Sequence, residues 1–491
     1  MDRIIRPLSI HEASFPVYGE LCPGAGNIVV CLKLTGELSL LQAQQGFTRL
    51  MQAEPSLQVA SEWSIGNKSE GIKPGYVFVK PEHPKVPFTS SEVPSDDFEK
   101  EVTHVRTSFL NQPFQEGGLL WRAHLISQKN DESHLNSHLI SHVSNDVNQH
   151  CIMLCINHSV SDGSSVTQLM KQWLLALEHP KNNNGVERTL KQPLWHYMPK
   201  KIASVFGAFR TFGVLSTFIK AQKLAEQGLS FKAECNVPIS EHRCGSTYRT
   251  LNTSAFSKLL ARSKNNNKSI HGLVSAALMQ VLLTDCKNNG QLNNIKPNFL
   301  FPFVTTVNVR DKIIDEQQGD QGINPHINGC FSSGVTSMVK VDQSLIDTEY
   351  QDSPWALGDQ VSTGVKAALK QDQHWKVLRI YQLAGLKGLK KMFIDSSEKP
   401  LATPISFANL GAVHFAASDD LRTSKTSKAL EVNGYQAYAA FHASGAGVNV
   451  VASSLNTELT LCFTCPSPVI APSTLHQYAD DVLKLLEHWS H

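Results

Sequence analysis

The chain has 491 residues, 41% of them apolar, and its 45 basic and 43 acidic side chains leave a net charge of +2. That length supplies roughly two to four domains' worth of chain and ample apolar material for cores. No basic block marks a nucleic-acid surface, and no window of about 18 uninterrupted apolar residues marks a transmembrane span.

The opening "MDRIIRPLSIHEASF" lacks the apolar segment of a secretory leader. The ten cysteines are scattered, several inside apolar runs such as "CIMLC", which fits reduced, buried thiols and a cytoplasmic location. "GNIVVCLKL" reads as a strand. In "LSLLQAQQGFTRLMQAEP", helical spacing places Leu40, Leu41, Phe47, Leu50 and Met51 near one face, and Pro55 stops the helix. "LLWRAHLIS" and "CIMLCIN" are two further strands, too apolar for an exposed edge. Between them lies a Ser-, Asn- and His-rich insertion, 129–150, read as a surface loop. After Gly163, Val166, Leu169, Met170, Trp173, Leu174 and Leu177 recur as on an amphipathic helix.

Periodicity then breaks, and 186–244 reads as a mostly helical connecting region. Its segment 202–224 mixes apolar and basic residues. That fits a helix packed between lobes, or weak association with a membrane surface. The second half carries two helices around "SIHGLVSAALMQVL", strands in "NFLFPFVTTVNVRD", "GCFSSGVTSMVKV", "PISFANLGAV" and "TELTLCFTC", and a closing helix "STLHQYADDVLKLLEHW". No solenoid repeat is visible. The expectation is an α/β chain of two lobes, 1–185 and 245–491, joined by 186–244.

The chemistry concentrates where the buried strand "CIMLCIN" runs into His158. A strand end delivers an imidazole to a sheet rim, where clefts form, and histidine suits proton transfer near neutral pH. Asp162 is placed to cap the next helix, and Gly163 suits a positive φ or a close backbone approach. Taken alone, these residues also fit a polar loop and an ordinary cap.

Context along the chain decides between the two. His158-Ser-Val-Ser-Asp162-Gly163 is an H-x-x-x-D-G sequence. "RPLSIHEA", "LLWRAHLI", "SIHGLVSAALMQVL", "TTVNVRD" and "ISFANLGAV" accompany it in order. Together they resemble the CoA-dependent acyltransferase superfamily, which includes peptide-synthetase condensation domains, polyketide-associated acyltransferases, alcohol acetyltransferases and the plant BAHD enzymes. Asn157 stands where many members have a first histidine, and the D-F-G-W-G motif of the plant branch is absent.

The resemblance implies two chloramphenicol-acetyltransferase-like lobes with a tunnel between them. It implies His158 as general base on a hydroxyl or amine acceptor, acyl-CoA as co-substrate, no covalent acyl-enzyme and no metal. Asp162 would pair with Arg310 rather than orient His158, and Asn409 is the candidate oxyanion donor or substrate contact. Such two-lobed members are often monomers. Two alternatives stand beside the CoA-dependent reaction. One is a condensation-type catalyst fed by a carrier protein, and the other is a non-catalytic small-molecule binder of the same fold.

Other motifs give less. His134, His138 and His142 share a spacing that suits one helix face, but they fall in the polar insertion. Cys462 and Cys465 lie in an alternating strand, where i and i+3 point to opposite faces. No phosphate-binding G-x-x-x-x-G-K-[ST] and no dinucleotide G-x-G-x-x-G is present.

Overall fold

A computed structural model describes residues 3–66, 73–82, 84–129, 148–178, 189–296, 298–315, 320–321, 327–342, 355–399, 401–415, 430–440 and 446–491. His134, His138 and His142 lie outside the described residues. In chain order the strands are β1 (Ile4–Pro7), β2 (Asn27–Thr35), β3 (Ala60–Ser64), β4 (Gly75–Val79), β5 (Phe88–Val93), β6 (Trp121–Gln128), β7 (Gln149–Asn157), β8 (Arg243–Leu251), β9 (Phe299–Asn308), β10 (Ile314–Asp315), β11 (Asp320–Gln321), β12 (Ser332–Val341), β13 (Thr403–Ala412), β14 (Glu431–Ala439), β15 (Ala446–Leu455) and β16 (Glu458–Ser467).

Two mixed sheets carry the molecule. The first has the order β14-β2-β7-β6-β5 and the second β12-β9-β13-β15-β16-β8; β1-β4-β3 and β10-β11 form small sheets of their own. β7 reads as an unbroken apolar run because both of its faces are covered. Ile152, Leu154 and Ile156 join the core under helices Leu40–Ala53 and Gly163–Glu178. Cys151, Met153 and Cys155 join a second core with Phe98, Val102 and Phe109 of helix Phe98–Asn111. In the second sheet, Ile405, Phe407, Val448 and Val450 face the core built on the buried helix Ile270–Asn288 and the closing helix Pro472–His488. The two-lobed α/β architecture is as expected.

Several expectations change in detail. The strand β14 comes from the second half of the chain yet pairs antiparallel with β2 from Glu431↔Thr35 to Ala439↔Ile28. The first sheet is therefore completed by residues that chain position assigned to 245–491. Helix Gln373–Ser397 likewise packs on Ile10–Leu21. β8 begins at Arg243, inside the connecting region 186–244, which otherwise holds short helices and the longer helix Phe212–Glu226. On helix Leu40–Ala53, Leu40 and Leu41 are exposed; the buried stripe is Ala43, Gly46, Phe47 and Leu50. Gly46 sets that rotation, since a Cβ there would fall 2.8 Å from Trp173 Nε1 and Leu177 Cδ2. The small residue, not the large ones, marks the packed face. Cys462 and Cys465 of β16 enter two different cores.

Gly46→Ala is therefore expected to push the two helices apart and cost about 1–3 kcal/mol, the usual range for overpacking. Urea unfolding of the variant against the wild type measures it, and an unchanged midpoint would refute this account of the interface.

Candidate active site

β7 ends at Asn157, and the turn after it is held on both sides. The His158 N–H donates to the Gly26 carbonyl at 2.7 Å, and the Ser159 N–H donates to Asn157 Oδ1 at 3.0 Å. Asn157 thus closes a local turn through its own side chain. The Asp162 carbonyl accepts the Val166 N–H and its Oδ1 accepts the Ser165 N–H, a capping arrangement that starts helix Gly163–Glu178.

The same carboxylate does more than cap. Asp162 Oδ2 accepts from Arg310 Nη1 at 2.9 Å and from the Phe331 N–H at 2.8 Å, while Oδ1 also accepts from Arg310 Nη2 at 3.1 Å. Both side chains are 2% exposed. The remaining Arg310 donors reach Ser165 Oγ, Asn308 Oδ1 and the carbonyls of Ile327 and Gly329, and the guanidinium lies over the Phe331 ring. Arg310 sits in the turn just past β9, and Asn308 is the last residue of that strand. Burial pushes the Asp162 carboxyl up. Arg310 and the two N–H groups outweigh it and hold the group below the usual carboxylate range.

His158 is partly exposed and stacks on Phe15, with ring centroids 4.5 Å apart and planes 1° from parallel. Its Nδ1 lies 3.6 Å from Cys330 Sγ. Burial lowers its pKa; Asp162 and the carbonyls of His158 and Ser161 oppose that, and burial wins. The ring is accordingly neutral at pH 7, the form that accepts a proton. Burial also pushes the Cys330 thiol well up, so it stays protonated beside the ring. His11 lies near both, 3.9 Å from Cys330 Sγ, with its pKa lowered to about 3 chiefly by burial.

A cavity of about 140 Å³ opens between the two sheets at this point. His158, Asp162 and Gly163 line it from the first lobe. Thr306, Asn308, Ser332, Ser406, Asn409 and Asn449 line it from the second. Strand alternation explains the division, because Ile405, Phe407, Val448 and Val450 point into the helical core while Ser406 and Asn449 point the other way. Gly163 does not adopt a positive φ. It leaves room for Leu410 of the opposite lobe, whose Cδ2 would lie 2.8 Å from a Cβ. Asn409 is exposed at the cavity, and its Oδ1 accepts the Gly411 N–H at 2.9 Å. Asn449 is 8% exposed, and its Nδ2 has no hydrogen-bond partner among the described residues.

His158, Asp162, Gly163 and Asn409 are therefore gathered around one cavity, and Arg310 is tied to it through Asp162. The sequence reading missed four residues there. Phe15 follows His11 by four positions, the one-face spacing of a helix, which was the available signal. Ser165 stands three residues after the capping aspartate. Asn449 and Cys330 gave no local sign.

The sequence matches no family model and no curated protein. Solved structures match along nearly the whole chain. A trichothecene 15-O-acetyltransferase from Fusarium sporotrichioides has a TM-score of 0.69 at 11% identity, covering 99% of this chain and 95% of that one. The first condensation domain of the calcium-dependent antibiotic synthetase gives 0.65 at 12% identity, covering 99% and 97%. Polyketide synthase associated protein 5 from Mycobacterium tuberculosis gives 0.57 at 15% identity, covering 100% and 98%. The resemblance drawn from the motifs is thus matched in fold across both lobes.

Because the Asp162–Arg310 pair is buried, Asp162→Ala is expected to cost about 3–5 kcal/mol in folding stability by stranding the guanidinium. The double variant Asp162→Ala/Arg310→Ala should cost less than the sum of the single changes, as read by chemical denaturation; strict additivity would contradict the pairing. With a folded pKa below the unfolded one, the carboxylate's contribution is present above about pH 3.9 and is lost as pH falls through the folded value.

Proposed function

We propose that this protein is an acyltransferase that moves an acyl group from a thioester, acyl-CoA in the first instance, to a hydroxyl acceptor, with His158 as general base. One observation carries the reading: a neutral, partly exposed imidazole at the wall of a cavity whose facing wall belongs to the other lobe and carries Ser406, Asn409 and Asn449 among apolar side chains. The likeness to an O-acetyltransferase supports an acetyl-sized donor and an alcohol acceptor. An amine would use the same chemistry.

A ring that carries its hydrogen on Nδ1, beside Cys330, keeps the Nε2 lone pair for substrate, and this is the tautomer the reaction requires. Nε2 takes the proton from the acceptor hydroxyl as that oxygen bonds to the thioester carbonyl carbon. The tetrahedral oxyanion needs donors 2.7–3.1 Å away, the general range for such holes, about 3 Å. Asn449 lines the cavity and its buried Nδ2 has no hydrogen-bond partner among the described residues, so we assign this role to it first and to Asn409 second. Collapse breaks the carbon–sulfur bond, and the imidazolium returns its proton to the leaving thiolate. The products are an ester and a free thiol. Asp162 and Arg310 hold the turn that carries His158; they are positioning residues.

The same steps serve a thioester held on a carrier protein, a second reading supported by the likeness to a condensation domain. Acyl-CoAs of graded chain length and an acyl-loaded carrier protein, each offered with mixed alcohols and amines, separate the two when products are read by mass spectrometry. Turnover with neither donor would leave only the binding-protein reading.

His158→Ala is expected to fold normally and lose about 10²–10⁴-fold in turnover, the usual worth of general-base catalysis. Near-wild-type turnover would remove His158 from the reaction. Since burial lowers the pKa of this ring, the acid limb of the kcat/KM profile should fall below the free-imidazole value of about 6.5. An acid limb above that value would exclude the ring as the base. Asn449→Ala should lower kcat by about 10²–10³-fold with little change in KM, as for loss of one oxyanion donor. An unchanged kcat would return the role to Asn409.

A further inference from the structure

The connecting region presents a surface that the proposed reaction does not use. Val205, Phe206, Phe209 and Phe212 are 76%, 81%, 64% and 61% exposed, and Ile219 is 52% exposed. The short helix Val205–Phe209 is pinned on its inner side by Gly207, where a Cβ would fall 2.1 Å from the Ile202 carbonyl oxygen. In helix Phe212–Glu226, Val214, Ala221 and Ala225 are buried, so Phe212, Leu215 and Ile219, at i, i+3 and i+7, share the outward face. The Phe209 and Phe212 rings lie 6.1 Å apart, which joins the outward sides of the two helices into one patch. A lone exposed side chain such as Ile65 is ordinary; six large apolar residues within fifteen positions, three of them Phe, mark an interaction surface.

Charge identifies what covers it. From Thr189 to Glu226, the end of the second helix, the chain has six basic residues and one acidic, Glu226 in the last turn. Lys201 pairs with Asp372, whereas Lys200, Arg210, Lys220 and Lys223 are exposed. Arg210 stands between Phe209 and Phe212, and Lys223 extends the outward face one turn beyond Ile219. A second copy of this chain would set cations against cations. An anionic lipid surface answers both halves of the pattern, its acyl boundary taking the aromatic rings and its headgroups the ammonium and guanidinium groups. No single helix among the described residues is long and apolar enough to cross a bilayer.

We propose that Val205–Lys223 anchors the protein on anionic membrane surfaces, with both helices lying in the plane of the interface. The inference stands apart from the catalytic reading. The purified full chain is sedimented with vesicles of phosphatidylcholine alone and of phosphatidylcholine with about one third phosphatidylglycerol, a strongly anionic surface. The wild type is expected to bind the anionic vesicles at least about tenfold better than the neutral ones, consistent with paired apolar and basic anchoring. Phe206→Ser/Phe209→Ser/Phe212→Ser should lose about tenfold or more of that binding while its circular dichroism stays unchanged. Lys220→Glu/Lys223→Glu should weaken binding to anionic vesicles alone. Wild-type protein that stays in the supernatant, or variants that bind as well as wild type, would overturn the proposal. So would self-association, in sedimentation velocity, that the triple Phe variant abolishes without any vesicle binding, because that outcome assigns the patch to a second copy.

Discussion

One buried ion pair ties the geometry of the site together. The Asp162 carboxylate accepts four hydrogen bonds, from the Ser165 N–H that starts its own helix, the Phe331 N–H that leads into β12, and two Arg310 nitrogens from the far lobe. An isolated buried charge of either sign would be strongly unfavourable. Each is tolerable only with the other present and with every further donor filled, as Arg310 achieves through Ser165, Asn308 and two backbone carbonyls. The pair therefore requires both lobes to be docked in one arrangement. His158 lies four residues before Asp162 on the same turn, so the docking that satisfies the carboxylate also places the imidazole.

Around that pair the cavity follows from sheet periodicity. β13 and β15 must bury alternate residues under the helices of their own lobe, which leaves Ser406 and Asn449 facing across. β14 then binds the lobes covalently as well as by contact. The chain leaves the second sheet after β13, adds a strand to the first sheet, and returns to β15. Ala437, Tyr438 and Ala439 of this strand also line the cavity. Tyr438 is held by Gln436 and Arg106, so that wall is fixed from behind.

The imidazole's electrostatics show which effect wins at close range. Asp162 is near enough to favour a charged ring, yet its charge is already balanced by Arg310. Burial against Phe15 and Cys330 then dominates, and the ring stays neutral. A triad-like aspartate with no cation partner would push the other way.

The sequence by itself determined what local physics controls. The unbroken apolar run of β7 announced a strand covered on both faces, the 3.6-residue recurrence after Gly163 announced its helix, and His158 followed from the run's end. Asp162 was legible as a cap, and its tie to Arg310 only through a family resemblance, since 148 residues separate them. What tertiary structure alone decided is everything set by pairing at a distance. β14 alternates like any strand and carries no mark of the sheet it will join, because hydrogen-bonding partners are chosen by the whole topology. Leu40 and Leu41 are apolar yet face water, because Gly46 and Trp173 fix the helix rotation. Asn449 reads as a polar residue in an apolar strand. It gains meaning only once the lobes close, when it lines the cavity with a buried Nδ2 that has no hydrogen-bond partner among the described residues.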